Sequence, residues 1–259
     1  MYFEEISLLI THYNRSRSLE VLLSKLSQAK CSFKRIVVSD DGSSPQHLEY
    51  INVLSKNFNF DLITSLRNKG LGHNLNKGHA AITTPYTLYI QEDFVPAQGF
   101  ARHLEFGLSL LQENPDFDLV RFYAYVLFPY LKEYKYGFSE MRFKWWYPGL
   151  AKFTMYSDHP HLKRNTFIEK FGPYKTGVSG DKTEFAMMMS FIKNNGKAFF
   201  YNDYQSLLTQ ENSSDEPSTM KRNFWRENDS VFVRSLRVIY RYIYYNGSLY
   251  IPKFSTKSK

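Results

Sequence analysis

In the first part of the chain, apolar runs stop abruptly at polar or acidic clusters, and helical periods fill the gaps between them. Residues 6–11 (Ile-Ser-Leu-Leu-Ile-Thr) end at His12, Tyr13, Asn14 and Arg15, and residues 35–39 end at Asp40, Asp41, Gly42, Ser43 and Ser44. Residues 60–65 lead to Asn68, Lys69 and Gly70, and residues 86–90 end at Gln91, Glu92 and Asp93. Short, continuously apolar runs fit strands buried on both faces of a parallel sheet. Between them Leu19, Leu22, Leu23 and Leu26, then Leu48, Ile51 and Leu54, then Leu71, Leu75 and Ile82 recur at helical spacing. This alternation restricts the fold to an α/β sheet of right-handed crossovers, whose ligands gather outside the carboxyl ends of the strands. Residues 11–15, 40–43 and 91–93 are therefore expected along one edge.

The second half is less regular. A helix is predicted over 99–113, with Phe100, Leu104, Leu108 and Leu111 on one face, then a strand over 119–126. Residues 128–156, including Trp145, Trp146 and Tyr147, keep no period and receive no assignment. Beyond them a short helix over 165–170, a loop over 177–181 and a helix over 182–195 are predicted, then a surface loop at 212–217. The only boundary is gradual, near residue 115. It separates a regular α/β half, 1–115, from an aromatic half with a C-terminal helical extension, 116–259, within one continuous domain.

Composition narrows the class of function. With 33 Lys and Arg against 25 Asp and Glu, the net charge of +8 favours anionic partners. A single cysteine, Cys31, excludes an internal disulfide and a cysteine-built metal cluster, and fits a reducing compartment. No basic and apolar leader opens the sequence, and no run of 18 uncharged apolar residues occurs, so a soluble or peripheral protein is expected.

Glu92 and Asp93 stand at the mouth of a buried strand, where two carboxylates repel and are costly to dehydrate. A divalent cation carrying its own waters would compensate for them. A solvated turn opened by Pro96 is the simpler alternative.

These motifs, in order, resemble the family 2 glycosyltransferases of the GT-A fold over about residues 5–100. The first strand ends in Thr11-His12-Tyr13-Asn14, the second in Asp40-Asp41-Gly42-Ser43, and Asn68-Lys69-Gly70 precedes the third helix, followed by Asn76-Lys77-Gly78. The resemblance implies a Rossmann-like mixed central sheet flanked by helices, with an irregular aromatic-rich C-terminal half. It also implies a metal-dependent, inverting enzyme that moves a sugar from a nucleotide diphosphate sugar, such as a UDP-sugar, to a glycan or lipid-linked acceptor in cell-surface polysaccharide synthesis. By the same resemblance Thr11 and Tyr13 hold the base, Asp40 accepts from base or ribose, and Asp41 satisfies its turn. Arg15, Asn68, Lys77 and Glu92 complete the nucleotide site, and Asp93 ligates Mn2+ or Mg2+. Gln91 replaces the first acidic residue of the family's Asp-x-Asp, which implies weaker metal affinity. An arginine of the family pattern is also missing near Leu75, so Lys69 or Lys77 takes over the diphosphate charge, with His73 and His79 nearby.

The segment 171–185 looks like the family's glycine-rich loop and acidic pair, so Asp181, then Glu184, are the candidate bases. At a helix N-terminus such a carboxylate is expected to have a lowered pKa. Asp181 as a cap, with Glu184 closing a capping box, is the structural alternative. Trp145 and Trp146 are candidates to stack on an acceptor sugar, and residues 159–164 (His-Pro-His-Leu-Lys-Arg) to meet an acceptor phosphate. Gln210 and Glu211 receive no role. Over residues 231–245, Arg234, Arg237 and Arg241 share a face, which suits either an interfacial helix on anionic lipid or a packed helix with a basic solvated side. The expected location is the cytoplasm, with the inner membrane face as a peripheral site, and nucleic acid is not an expected partner. The competing readings are a catalytically silent nucleotide- or glycan-binding module and a sugar-phosphate nucleotidyltransferase.

Overall fold

A computed structural model describes residues 1–211 and 231–250, the last helix up to residue 237 by its backbone alone. The loop expected at 212–217 and the side chains of Arg234 and Arg237 lie outside the described residues. The regular half runs β1 (Tyr2–His12), α1 (Ser16–Gln28), β2 (Ser32–Asp40), α2 (Pro45–Phe58), β3 (Asp61–Thr64), α3 (Leu71–Ala80) and β4 (Tyr86–Gln91). It continues through β5 (Phe94–Pro96) and α4 (Phe100–Glu113). The aromatic half supplies β6 (Leu119–Arg121), β7 (Leu131–Glu133), β8 (Phe138–Met141), β9 (His161–Arg164), α5 (Phe167–Phe171) and α6 (Gly180–Lys193). Then come β10 (Ala198–Tyr201), β11 (Leu208–Gln210) and α7 (Val231–Tyr250).

Nine strands form one mixed sheet in the order β3-β2-β1-β4-β9-β6-β10-β8-β7. The first four are parallel, and β9 enters antiparallel between β4 and β6. The sheet thus crosses the boundary near residue 115. Alternation along the central strands feeds two core layers, since successive side chains leave opposite faces. Leu8, Ile10, Val38, Leu88 and Ile90 pack with Leu19 and Leu22 of α1, Ile51 of α2 and Leu104 of α4. Leu9, Val37 and Tyr89 pack on the other side with Leu75 of α3, Phe167 of α5 and Met188 and Phe191 of α6. Cys31 lies in the first layer, where burial pushes its thiol up to about 12, as expected of a small apolar residue.

The strand expected over 119–126 is shorter. After Arg121 the backbone bonds to loops instead of a strand, with Phe122 N–H donating to the Pro160 carbonyl and Ala124 N–H to that of Tyr204. The aperiodic stretch 128–156 contains β7, β8 and a single 3-10 turn over 151–153. Its aromatics pack on one another and on neighbouring elements: Tyr130 stacks on Tyr147 at 4.0 Å, and Phe153 meets Tyr245 of α7 at 5.5 Å.

Candidate functional site

The carboxyl ends of β1, β2 and β4 lie side by side, with Thr11 in register with Ser39 on one side and Gln91 on the other. At this edge Asp40 is fully enclosed. Its Oδ1 accepts from His12 Nδ1 at 2.8 Å and from the Ser43 hydroxyl, and its Oδ2 accepts from Thr64 Oγ1 at 2.7 Å and from Gly42 N at 3.0 Å. Burial pushes the carboxyl up, but these donors outweigh it and hold Asp40 well below the usual carboxylate range. Asp41 reaches across to the next loop, accepting from Lys69 N at 3.0 Å and Gly70 N at 2.8 Å. Gly42 is required here. Its φ is +76°, and an added Cβ would come within 2.5 Å of the Arg67 backbone.

The remaining nucleotide candidates support the same edge. Thr11 is buried and bonds the Tyr89 hydroxyl at 3.0 Å, while Tyr13 is half-buried beside it in sequence. Asn68 accepts from Gly70 N at 3.0 Å. Lys77 donates to the Asp40 carbonyl and to Ser65 Oγ, so it braces the end of β2, and burial lowers its pKa. His79 is buried and is lowered by that burial to about 3, hence neutral.

Asp93 sits just beyond β4, buried against Arg15. Arg15 donates to Asp93 Oδ2 at 2.9 Å and lies 3.8 Å from Glu92 Oε1. The same Oδ2 accepts from Gln210 Nε2 at 2.8 Å, and Glu211 N–H bonds the Asp93 carbonyl at 2.8 Å, because β11 pairs antiparallel with β5. Sequence reasoning gave Gln210 no role, and no short motif marks it. Asp93 Oδ1, in contrast, is buried with no hydrogen-bond partner among the described residues. Among those residues no three His, Cys, Asp or Glu side chains cluster as a metal cage. Magnesium-type ions bound through one or two carboxylates and substrate phosphates need no such cage. An orphaned Asp93 oxygen next to Glu92 therefore fits such an ion.

A second cluster is built by α6 and the loop that precedes β9. Tyr125 connects the two: its hydroxyl donates to Gln210 Oε1, and its pKa is raised by burial, with Tyr123, Asp93 and Glu184 adding to the effect. Glu184, one turn into α6, does not close a capping box. Its Oε1 accepts from Asp158 N–H at 3.2 Å, and burial raises its pKa. The lowering expected from the helix end is thus overturned for Glu184, since dehydration exceeds the dipole there. Asp181 lies in the first turn, half-exposed, and Ser179 is the N-cap residue.

Behind Glu184 runs a buried chain that sequence reasoning missed. Lys163 Nζ, Tyr174 OH, Tyr156 OH and Asp158 Oδ1 are linked in steps of 2.8, 2.9 and 2.7 Å. Burial, aided by Glu184, pushes Asp158 up to about 7, and burial brings Lys163 down to about 7. Arg121, also fully buried, donates to the Thr154 carbonyl and to Ser157 Oγ, fixing the loop that carries Asp158. Residues 159–164 do not form a phosphate-binding surface as expected. His161 and Lys163 are enclosed because β9 is an interior strand, and Arg164 donates to the carbonyls of Leu111 and Phe117. Trp145 and Trp146 are 61% and 59% exposed.

Comparison with known proteins agrees with this architecture. The family described as "Glycosyl transferase family 2" matches residues 7–170, more than half of the chain. Over 95 residues the chain is 30% identical to the poly-beta-1,6-N-acetyl-D-glucosamine synthase of Staphylococcus aureus (strain COL), covering 37% of this chain and 23% of that protein. The Staphylococcus epidermidis synthase is 30% identical over 92 residues, 36% of this chain and 22% of its own length. Among solved structures, S. aureus TarS 1–349 in complex with UDP-GlcNAc superposes with a TM-score of 0.61 at 14% identity, covering 95% of this chain and 70% of TarS 1–349. The mannosyltransferase PcManGT from Pyrobaculum calidifontis, in complex with GDP-Man and Mn2+, gives 0.57 at 12% identity, covering 95% and 72%. At these identities the superpositions show a shared fold.

Proposed function

Because the chain belongs to glycosyl transferase family 2, we propose that it is an inverting glycosyltransferase of surface polysaccharide synthesis, moving a sugar from a nucleotide diphosphate sugar to a glycan or lipid-linked acceptor at the cytoplasmic face of a membrane. The supporting observation is that Asp93 and Glu184 both act on Tyr125, whose hydroxyl bonds Gln210, itself a donor to Asp93. The half before residue 115 supplies the donor edge, and the half after it supplies the acceptor side.

In this reading Thr11, Tyr13 and Asp40 shape the base and ribose pocket, and Arg15, Asn68 and Lys77 line the approach to the diphosphate. Asp93, with Glu92 beside it, holds Mg2+ or Mn2+. Bound there, the ion stabilises the charge of the departing diphosphate. Glu184 takes the proton of the acceptor hydroxyl as that oxygen bonds to the anomeric carbon and the bond to the diphosphate breaks on the opposite face. Glu184 replaces Asp181 as the preferred base, since a raised pKa improves a proton acceptor. Arg15, already paired with Asp93, favours one rival, a silent nucleotide-binding module whose arginine permanently stands in for the ion.

Thermal melting with Mn2+ plus each of UDP, GDP, CDP and dTDP tests the site. One diphosphate at about a hundred times its dissociation constant should stabilise by about 2.7 kcal/mol, and Asp93→Ala should abolish the metal-dependent part. A melt shift with no transfer or donor hydrolysis would favour the silent module. No shift with any diphosphate would remove the donor site altogether.

A further inference from the structure

Two features singled out in the sequence remain outside the site just described: the Trp145-Trp146 pair and the basic, aromatic C-terminal helix. They meet in one place. Lys152 is buried between them, its Nζ donating to the Trp145 carbonyl and to Asn246 Oδ1 of α7 at 2.9 Å. The tryptophan loop is thereby fastened to the helix. Tyr245 and Leu249 turn inward, Tyr245 packing on Phe153 and on Phe185 of α6. On the flank that carries Asn246, Ile239, Ile243 and Tyr250 fall at helical spacing, and they are 56%, 66% and 74% exposed. With the two tryptophans they make an apolar, aromatic surface drawn from two separate elements.

The sequence of this region is equally one-sided in charge, with Arg241 on the side of α7 opposite Ile239 and Ile243. Residues 231–259 contain Arg234, Arg237, Arg241, Lys253, Lys257 and Lys259, with no Asp or Glu. Lys144 adds a cation 5.1 Å from the Trp146 ring. Indole and phenol rings favour the boundary between hydrocarbon and water, isoleucines insert below it, and lysine and arginine meet anionic headgroups. No helix among the described residues is long and apolar enough to cross a membrane, so this surface lies on a bilayer and does not span it. We propose that Trp145, Trp146 and the Ile239-Ile243-Tyr250 flank of α7 form a docking face for an anionic phospholipid surface.

Because α7 packs on α6, which carries Asp181 and Glu184, docking would hold α6 and these carboxylates near the membrane. The docking face itself does not depend on which sugar is moved, or on whether any is. This reading takes the exposed tryptophans as membrane anchors and not as an acceptor platform.

The test is co-sedimentation of the full chain with vesicles of phosphatidylcholine alone or mixed with phosphatidylglycerol, without donor or acceptor. Binding to the anionic vesicles, weakened by added salt, is expected. Trp145→Ala with Trp146→Ala, and separately Ile239→Ser with Ile243→Ser, should each weaken it roughly tenfold or more. These isoleucines are solvent-exposed, so their variants should keep the wild-type melting curve and the nucleotide-dependent shift, which separates failure of docking from failure of the donor site. Wild-type protein that ignores anionic vesicles, or binding unchanged in both double variants, would overturn the proposal. So would a concentration-dependent dimer that both double variants abolish while lipid binding is absent.

Discussion

The two carboxylate clusters treat their charges in opposite ways. At the donor edge Asp40 is saturated by donors from its own turn and neighbouring strands, and its charge is strongly favoured. On the acceptor side Asp158 has one hydroxyl donor and Glu184 one backbone N–H, and dehydration pushes both upward. A carboxylate rich in donors builds a rigid edge but makes a poor base. One starved of donors destabilises the fold yet is ready to accept a proton near neutrality. Under the proposed function, the contrast suits architecture on one side and proton chemistry on the other.

The largest expected effect lies on the acceptor side. Glu184→Gln should lower transfer about 10²–10⁴-fold with little change in donor-dependent melting, while Asp181→Asn should stay within about tenfold. Steady-state rates of the two variants decide which carboxylate is the base, and an inverted order would collapse the comparison. A base must be deprotonated, so the raised Glu184 pKa places the acid limb of the wild-type pH–rate profile above the ordinary glutamate range. Asp181→Asn removes the neighbouring charge that raises Glu184 and should move that limb to lower pH. Arg121, which lowers Glu184, and Asp158 and Tyr245, which also face it, remain in that variant.

Stability should differ in sign between the two sides. Asp40→Ala strands several buried donors and should cost about 3 kcal/mol in urea unfolding at neutral pH. Asp158 behaves oppositely. Its native pKa of about 7 lies above the unfolded value, so the native state holds the proton more tightly and stability falls as pH rises from about 4 towards 7. Asp158→Asn should remove that fall, gaining on wild type as pH increases. The smallest effect concerns Lys163, whose native pKa of about 7 lies below the unfolded value. Stability then rises with pH from about 7 to 10, and Lys163→Met should stabilise by about 1 kcal/mol at pH 7, visible as a few degrees in melting temperature. A loss on Lys163→Met would mean that its bond to Tyr174 outweighs dehydration.

How much of this was legible in the sequence follows from the range of the interactions. The donor edge is written in short motifs, because a strand and its turn place Asp40, Asp41 and Gly42 with only local help, and the parallel sheet does the rest. Arg15 was placed at that edge, but its pairing with Asp93 spans 78 positions and leaves no spacing to read. The acceptor side is built almost entirely from such distances. Asp158 stands in an aperiodic aromatic stretch, and only the folded loop brings its N–H to Glu184 of α6. The acidic pair at the start of α6 was visible, but its environment was not, and the capping box weighed as the structural alternative gave way to a contact with another loop. The basic string at 159–164 misled for a related reason. Polar residues in an interior strand look solvent-facing until the strand order is known.

That strand order also governs how the molecule can be assembled. β9 covers the flank of β4, and its residues follow β4 by about seventy positions, so β4 stays a bare hydrogen-bonding edge until the aromatic half arrives. Bare edges recruit other chains, and pairings this remote in sequence form slowly. A fragment ending near residue 115 should therefore aggregate instead of standing as an independent nucleotide-binding unit. Newly made protein depends on β9 for solubility as much as the finished protein depends on it for shape.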